Sequence, residues 1–136
     1  MTLTDTGPLV ALLDKDDANH FACRKAAEQL PSGPLLTSWA CIVEAMYLLG
    51  AVGSFAYQAE LWRLQSTDRL VLYDLTIDEI RRMAGLMEKY HDTPMDLADA
   101  SLVAMAENLS IRRIFTLDGD FRTYRLEDGS VLDIIP

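Results

Sequence analysis

Short apolar runs of strand length alternate along this chain with longer segments bearing helix signals, and that alternation constrains the fold more than any other feature. Strands are expected at Met1–Asp5, Leu35–Thr37, Leu70–Tyr73, Arg113–Leu117 and Val131–Ile135. Between the first two, Gly7-Pro8 leads into an apolar turn, Leu9–Leu13, and Asp17 is placed as the N-cap of a helix Ala18–Leu30 stopped by Pro31 and Gly33. Ser38 caps a strongly apolar helix, Trp39–Leu49, closed at Gly50, and another helix follows over Ser54–Gln65. Thr76, with Glu79 three residues on, is a capping-box start for Ile77–Tyr90, and Asp96–Leu109 is the last helix. Strands separated by helices in this way pair in parallel through right-handed crossovers, with helices on both faces. The expected fold is a three-layer α/β/α sandwich around a mainly parallel sheet, one domain over residues 1–136.

Composition removes several classes. A chain of 136 residues, half of them apolar and 24% charged, has the makeup of a folded domain with one core. The charge-free stretch Gln29–Val43 is interrupted by Pro31, Gly33 and Pro34, so no membrane span is expected there. Met1–Val10 carries Asp5 and no basic residue, unlike a secretory signal, and a cytoplasmic location is the expectation. Cys23 and Cys41 lack CxxC spacing and a nearby histidine, and read as small buried apolar residues. The net charge is −9, from 21 acids against 12 bases, which argues against a DNA-binding module relying on a basic patch. It leaves a nuclease open, because acids gathered around divalent cations present less negative charge than their formal count.

In parallel α/β sheets chemistry collects outside the carboxyl ends of the strands. Asp5 ends the first strand, and Asp118, with Asp120 two residues on, follows the Ile114–Leu117 run. Glu44 is the only Asp, Glu, Lys or Arg between Glu28 and Glu60, and its helical neighbours Ala40, Cys41, Tyr47 and Leu48 surround it with apolar surface. A carboxylate buried there must be protonated, paired or bound to a cation, and no Lys or Arg lies within two turns; the competing explanation is that Glu44 is the solvent-facing position of the helix. Asp96 and Asp99 open the last helix on one face, where a helix cap and its third-position acid are the competing explanation. Asp5, Glu44, Asp99 and Asp118, with Asp120 and Asp96 as further candidates, can therefore meet at one sheet edge and recruit a cation. All-oxygen ligands select hard ions, Mg²⁺ or Mn²⁺. His20 and His91 sit away from these acids in sequence, which leaves no Ser-His-Asp or Cys-His pairing for acyl transfer.

The order of these residues resembles the PIN-domain nucleases, in particular the small VapC-type toxins of toxin-antitoxin pairs. The resemblance rests on Leu3-Thr4-Asp5-Thr6, on Glu44 in the helix after the second strand, on Asp99 to Ala106, and on Phe115-Thr-Leu-Asp-Gly-Asp-Phe121, and covers nearly the whole chain. It implies a metal-dependent ribonuclease with Asp5, Glu44, Asp99 and Asp118 as catalytic acids, Asp120 as a frequent fifth, and Mg²⁺ or Mn²⁺ as cofactor. Asp5, Asp99 and Asp118 would ligate the ion, and Glu44 would serve a second ion or the attacking water. Thr6 and Thr116 match small hydroxyl positions beside the site. The implied partners are RNA, a cognate antitoxin and a second copy of the chain, with no membrane.

Candidates for holding RNA are Arg122 and Arg125 after the Asp118 loop, and Arg24 with Lys25. Trp39, Trp62, Met83, Met87 and Met105 are expected in the core or a subunit contact. The rivals weighed are a non-catalytic PIN-like interaction scaffold and a housekeeping RNA-processing nuclease. Gly7 stands where a haloacid-dehalogenase phosphatase needs a second Asp, only Pro136 follows the last strand where a receiver domain needs Lys, and Thr-Gly-Pro-Leu is no phosphate-binding loop.

Overall fold

The computed structural model describes residues 1–136. Five strands, β1 (Thr2–Thr4), β2 (Leu35–Ser38), β3 (Leu70–Tyr73), β4 (Arg113–Phe115) and β5 (Asp133–Ile135), form one sheet in the order β3-β2-β1-β4-β5. Every pairing is parallel: Leu3 faces Leu36 on one side and Ile114 on the other, and Ser38 faces Tyr73. The helices are α1 (Thr6–Leu13), α2 (His20–Glu28), α3 (Trp39–Ser66), α4 (Ile77–Lys89) and α5 (Leu97–Leu109).

Successive strand side chains point to opposite faces, and they sort the core into the two helical layers. Leu3, Leu36 and Ile114 pack with Met83 and Leu86 of α4 and with Leu102 and Met105 of α5. On the other face Leu70 joins Leu9, Val10, Ile42, Leu49 and Leu61 of α1 and α3, and Phe115 meets Ala11 and Cys23. The expected three-layer architecture is thus present. Connections leave β1 toward β2 and β4 toward β5, in opposite directions, so a crevice opens between the carboxyl ends of β1 and β4.

Local departures from expectation have identifiable causes. The apolar stretch before Leu13 is a helix from Thr6, because Asp5 accepts the Thr6 N–H and Pro8 sits in the first turn, where a missing N–H costs no intrahelical bond. Asp17 is not an N-cap; its carboxylate accepts the Asn19 N–H in a preceding turn, and the helix begins at His20. β1, β4 and β5 are shorter than read, β3 is as read and β2 runs one residue further, to Ser38; beyond the ends of β1 and β4, Asp5 and Thr116 turn their side chains to each other.

The two helices expected around Gly50 meet within α3 at a kink at Ser54 (φ 56°, ψ −154°) rather than at Gly50. The two arms fold back on each other. Gln58 Nε2 donates to the Met46 carbonyl at 3.0 Å, whereas residues twelve apart on an unbroken helix are about 18 Å apart. Gly50 and Gly53 permit this, because a side chain at either would collide with Gln58 or Tyr57. By length and composition α3, which contains an 18-residue stretch with a mean hydropathy of 1.5, is long enough to cross a membrane. Folded back, its arms reach only about 22 and 18 Å, against about 30 Å of hydrocarbon.

Candidate active site

The acids that the sequence scatters over more than a hundred positions meet at the β1–β4 crevice. Asp5, Glu44, Asp96, Asp99 and Asp118 line one open cavity of about 290 Å³, together with Thr6, Gly7, Leu48 and Leu117. Asp5 is delivered by the end of β1 and is 7% exposed. Its Oδ1 accepts the Thr6 N–H at 2.8 Å and its Oδ2 accepts the Thr116 hydroxyl at 2.7 Å. Thr116 Oγ1 in turn accepts the Asp118 N–H at 3.0 Å, and Asp118 Oδ1 accepts the Asp120 N–H at 2.9 Å, capping a 3-10 turn at Gly119–Arg122. One chain of hydrogen bonds therefore ties Asp5, Thr116, Asp118 and Asp120 together. Asp120 flanks this loop without lining the cavity.

Asp99 comes from the first turn of α5 and is 3% exposed. Its N–H donates to Asp96 Oδ1 at 2.8 Å, so Asp96 is the N-cap. Its Oδ2 accepts the phenol of Tyr124 at 2.9 Å. Glu44 departs from expectation: it lies on an exposed face of α3, so its carboxylate is not buried between its apolar neighbours. It still reaches the cavity, where its Oε2 lies 3.2 Å from Thr6 Oγ1, whose hydroxyl is shared with the Cys41 carbonyl.

Burial and mutual repulsion govern these carboxylates. Burial raises Asp5 above the usual carboxylate value; hydrogen bonds from Thr116 and Thr6 oppose the rise, and the charges of Asp118 and Glu44 add to it. Asp99 is pushed up to about 8, first by burial and then by Asp96, with Asp5 and Asp118 contributing. Asp120 is raised by the Asp118 charge. The thiol of Cys41, 3.9 Å from Asp5 Oδ1, is pushed up to about 11 by burial and by that carboxylate, so it is a neutral packing group beside the site. Cys23 is also buried.

No three carboxylates close into a preassembled cation cage. The donor set nonetheless fits a hard cation: it is all oxygen, has no His or Cys ligand, and lies open to solvent. Burial holds its two buried members above their ordinary values and the neighbouring negative charges add to the rise, which positive charge at the cavity would offset.

The basic residues divide. Arg122 is exposed, with its guanidinium over Gly119 on the lip of the Asp118–Asp120 turn. Arg125 is committed elsewhere, donating to the carbonyls of Arg122, Thr123 and Tyr124. Arg24 lines a separate groove of about 780 Å³ that includes the residues leading into β2 and β3, away from the acids, and Lys25 lies 6.0 Å from the Phe21 ring. Trp39 and Trp62 are half exposed rather than core residues, while Met83 and Met105 are buried. His20 contacts the Ala11 carbonyl and His91 pairs with Asp92, both away from the cavity.

Sequence reasoning missed Tyr124 and the contact of Cys41 with Asp5. The position of Tyr124, six residues after Asp118, is the only sequence signal for it, and that spacing has no periodic meaning in a loop.

No protein-family model matches the chain. It is 29% identical over 136 residues to Ribonuclease VapC26 of Mycobacterium tuberculosis, covering 98% of this chain and 99% of that protein. The crystal structure of Mycobacterium tuberculosis VapC20, a Sarcin-Ricin loop cleaving toxin, superimposes over the whole of both chains with a TM-score of 0.86 at 18% identity. VapBC2 from Rickettsia felis, solved with a DNA fragment from its promoter, gives a TM-score of 0.72 at 14% identity, covering 99% of this chain and 98% of that one. The resemblance read from the sequence therefore holds, and the chain has the PIN-domain fold of the VapC-type proteins.

Proposed function

We propose that this protein is a divalent-cation-dependent ribonuclease acting as the toxin of a toxin-antitoxin pair. One observation carries the reading: Asp5, Glu44, Asp99 and Asp118, from four separate segments, line a single cavity at the sheet's switch point. The full-length likeness to a VapC ribonuclease supports the reaction class. A solved structure described as a toxin-antitoxin complex from Klebsiella pneumoniae, with a TM-score of 0.64 at 22% identity, supports an antitoxin partner.

In this reading Asp5, Asp99 and Asp118 hold Mg²⁺ or Mn²⁺, with Asp120 beside them. The ion supplies an acidified water for phosphodiester hydrolysis and offsets charge on the phosphate oxygens. The chain's own residues do the rest. Thr116 and the Thr6 N–H fix the Asp5 carboxylate by both oxygens. Glu44, exposed and hydrogen-bonded to Thr6, is free to orient a water or take its proton. Arg122 offers a cation to the RNA backbone at the cavity's lip. The exposed apolar residues Val43, Tyr47, Val52 and Phe55 of α3 suit contact with a second copy of the chain.

The test is cleavage of a panel of structured RNAs with and without Mg²⁺ or Mn²⁺, by wild type and by Asp5→Asn. Cleavage should require the ion and disappear in the variant, with no fall in melting temperature. Full cleavage by Asp5→Asn would place the activity outside this pocket, and wild type that cleaves nothing with either ion would instead support the non-catalytic scaffold.

A further inference from the structure

We propose that Tyr124 is a positioning residue for the cation-binding acids: its phenol fixes the Asp99 carboxylate through Oδ2 and leaves Oδ1 for a divalent ion. The inference rests on the carboxylate-cation reading of the site and deepens it. Tyr124 is 2% exposed, and its hydroxyl donates to Asp99 Oδ2 at 2.9 Å, while Oδ1 accepts no hydrogen bond. A short carboxylate held only at its backbone can rotate about its last torsion; a buried phenol removes that freedom. The ring itself is held edge-on by Tyr90 at 5.2 Å and Phe121 at 5.3 Å. Phe121 belongs to the turn that Asp118 caps. Tyr124 therefore also fixes where the Asp118 loop stands relative to Asp99 on α5.

The experiment measures Mn²⁺ binding by calorimetry, without RNA, on the full chain as wild type, Tyr124→Phe and Tyr90→Phe, beside the Mn²⁺ dependence of RNA cleavage. Tyr90→Phe is the matched control, because it removes a hydroxyl from the same aromatic cluster that accepts the Arg125 N–H and does not touch Asp99. Outer-shell partners of metal ligands are typically worth about 10–100-fold in affinity. Tyr124→Phe should accordingly weaken Mn²⁺ binding at least tenfold and raise the half-saturating Mn²⁺ concentration for cleavage, with most of the maximal rate recovered at saturation. Tyr90→Phe should stay close to wild type. A loss below tenfold in Tyr124→Phe, or an equal loss in Tyr90→Phe, overturns the inference and leaves the ribonuclease reading standing. Wild type that neither binds Mn²⁺ nor cleaves RNA overturns both.

Discussion

Two buried acids occupy the same position in their helices and meet the same kind of partner, yet their surroundings differ. Glu79 and Asp99 are each the third residue of a helix, each is almost fully buried, and each accepts a hydrogen bond from a tyrosine phenol. Glu79 is long enough to reach back to its own cap, taking the Thr76 N–H at 2.8 Å, while Tyr73 donates across both of its oxygens. Asp99 is one methylene shorter, makes no bond back to the N–H of its cap, and faces the cavity lined by Asp5, Glu44, Asp118 and the cap Asp96 itself. The first arrangement completes a helix terminus. The second leaves an oxygen unspent and a charge uncompensated, which is how a site for a cation differs from a cap.

Several measurements would sharpen or break that contrast. The largest effect is expected from Asp99→Asn, which should lower ion-dependent RNA cleavage by roughly two orders of magnitude or more. Cleavage within a fewfold of wild type would make Asp99 a second structural acid. The same variant should change how stability depends on pH in chelated buffer. Asp99 binds its proton more tightly folded than unfolded, so its contribution is fully present below the unfolded value of 3.8 and is lost as pH rises through about 8. The melting temperature of wild type relative to Asp99→Asn should therefore fall between about pH 4 and pH 9, and Mn²⁺ should restore it at the alkaline end. A flat difference across that range would mean that burial does not strain this carboxylate.

Glu79→Gln should do the reverse, lowering stability by about 1–3 kcal/mol through a disrupted buried hydrogen-bond set while leaving the turnover of folded enzyme unchanged. Denaturant unfolding and cleavage on one preparation separate the two effects. The smallest change is expected from Arg122→Ala, which touches neither acid. It should raise the KM for RNA by a small factor, with a shallower salt dependence and unchanged Mn²⁺ binding.

The layers and four of the site acids were legible because they follow from local rules. Strand-length runs gave the sheet, Thr76 and Glu79 marked α4, and the carboxyl-edge rule selected Asp5 and Asp118. The position of Glu44 followed from its isolation among apolar residues, but its exposure did not, because one helix face cannot be assigned until its neighbours are placed. The fold-back at Ser54 was hidden for a similar reason: Gly50 is the stronger stop signal, yet the reversal needs Gly50 and Gly53 as room for Gln58 and Tyr57. Tyr124 was illegible since it meets Asp99 across 25 positions that run through the rest of α5, β4 and the 3-10 turn, and no single local period links the two.

The bond between Thr116 and Asp5 closes a span of 111 residues. A chain still emerging from the ribosome, with its later strands unsynthesised or held in the exit tunnel, cannot own this pocket however well its first helices have formed. Assembly of the pocket is thereby deferred to the end of biogenesis, and neither half of the chain alone carries all of its acids.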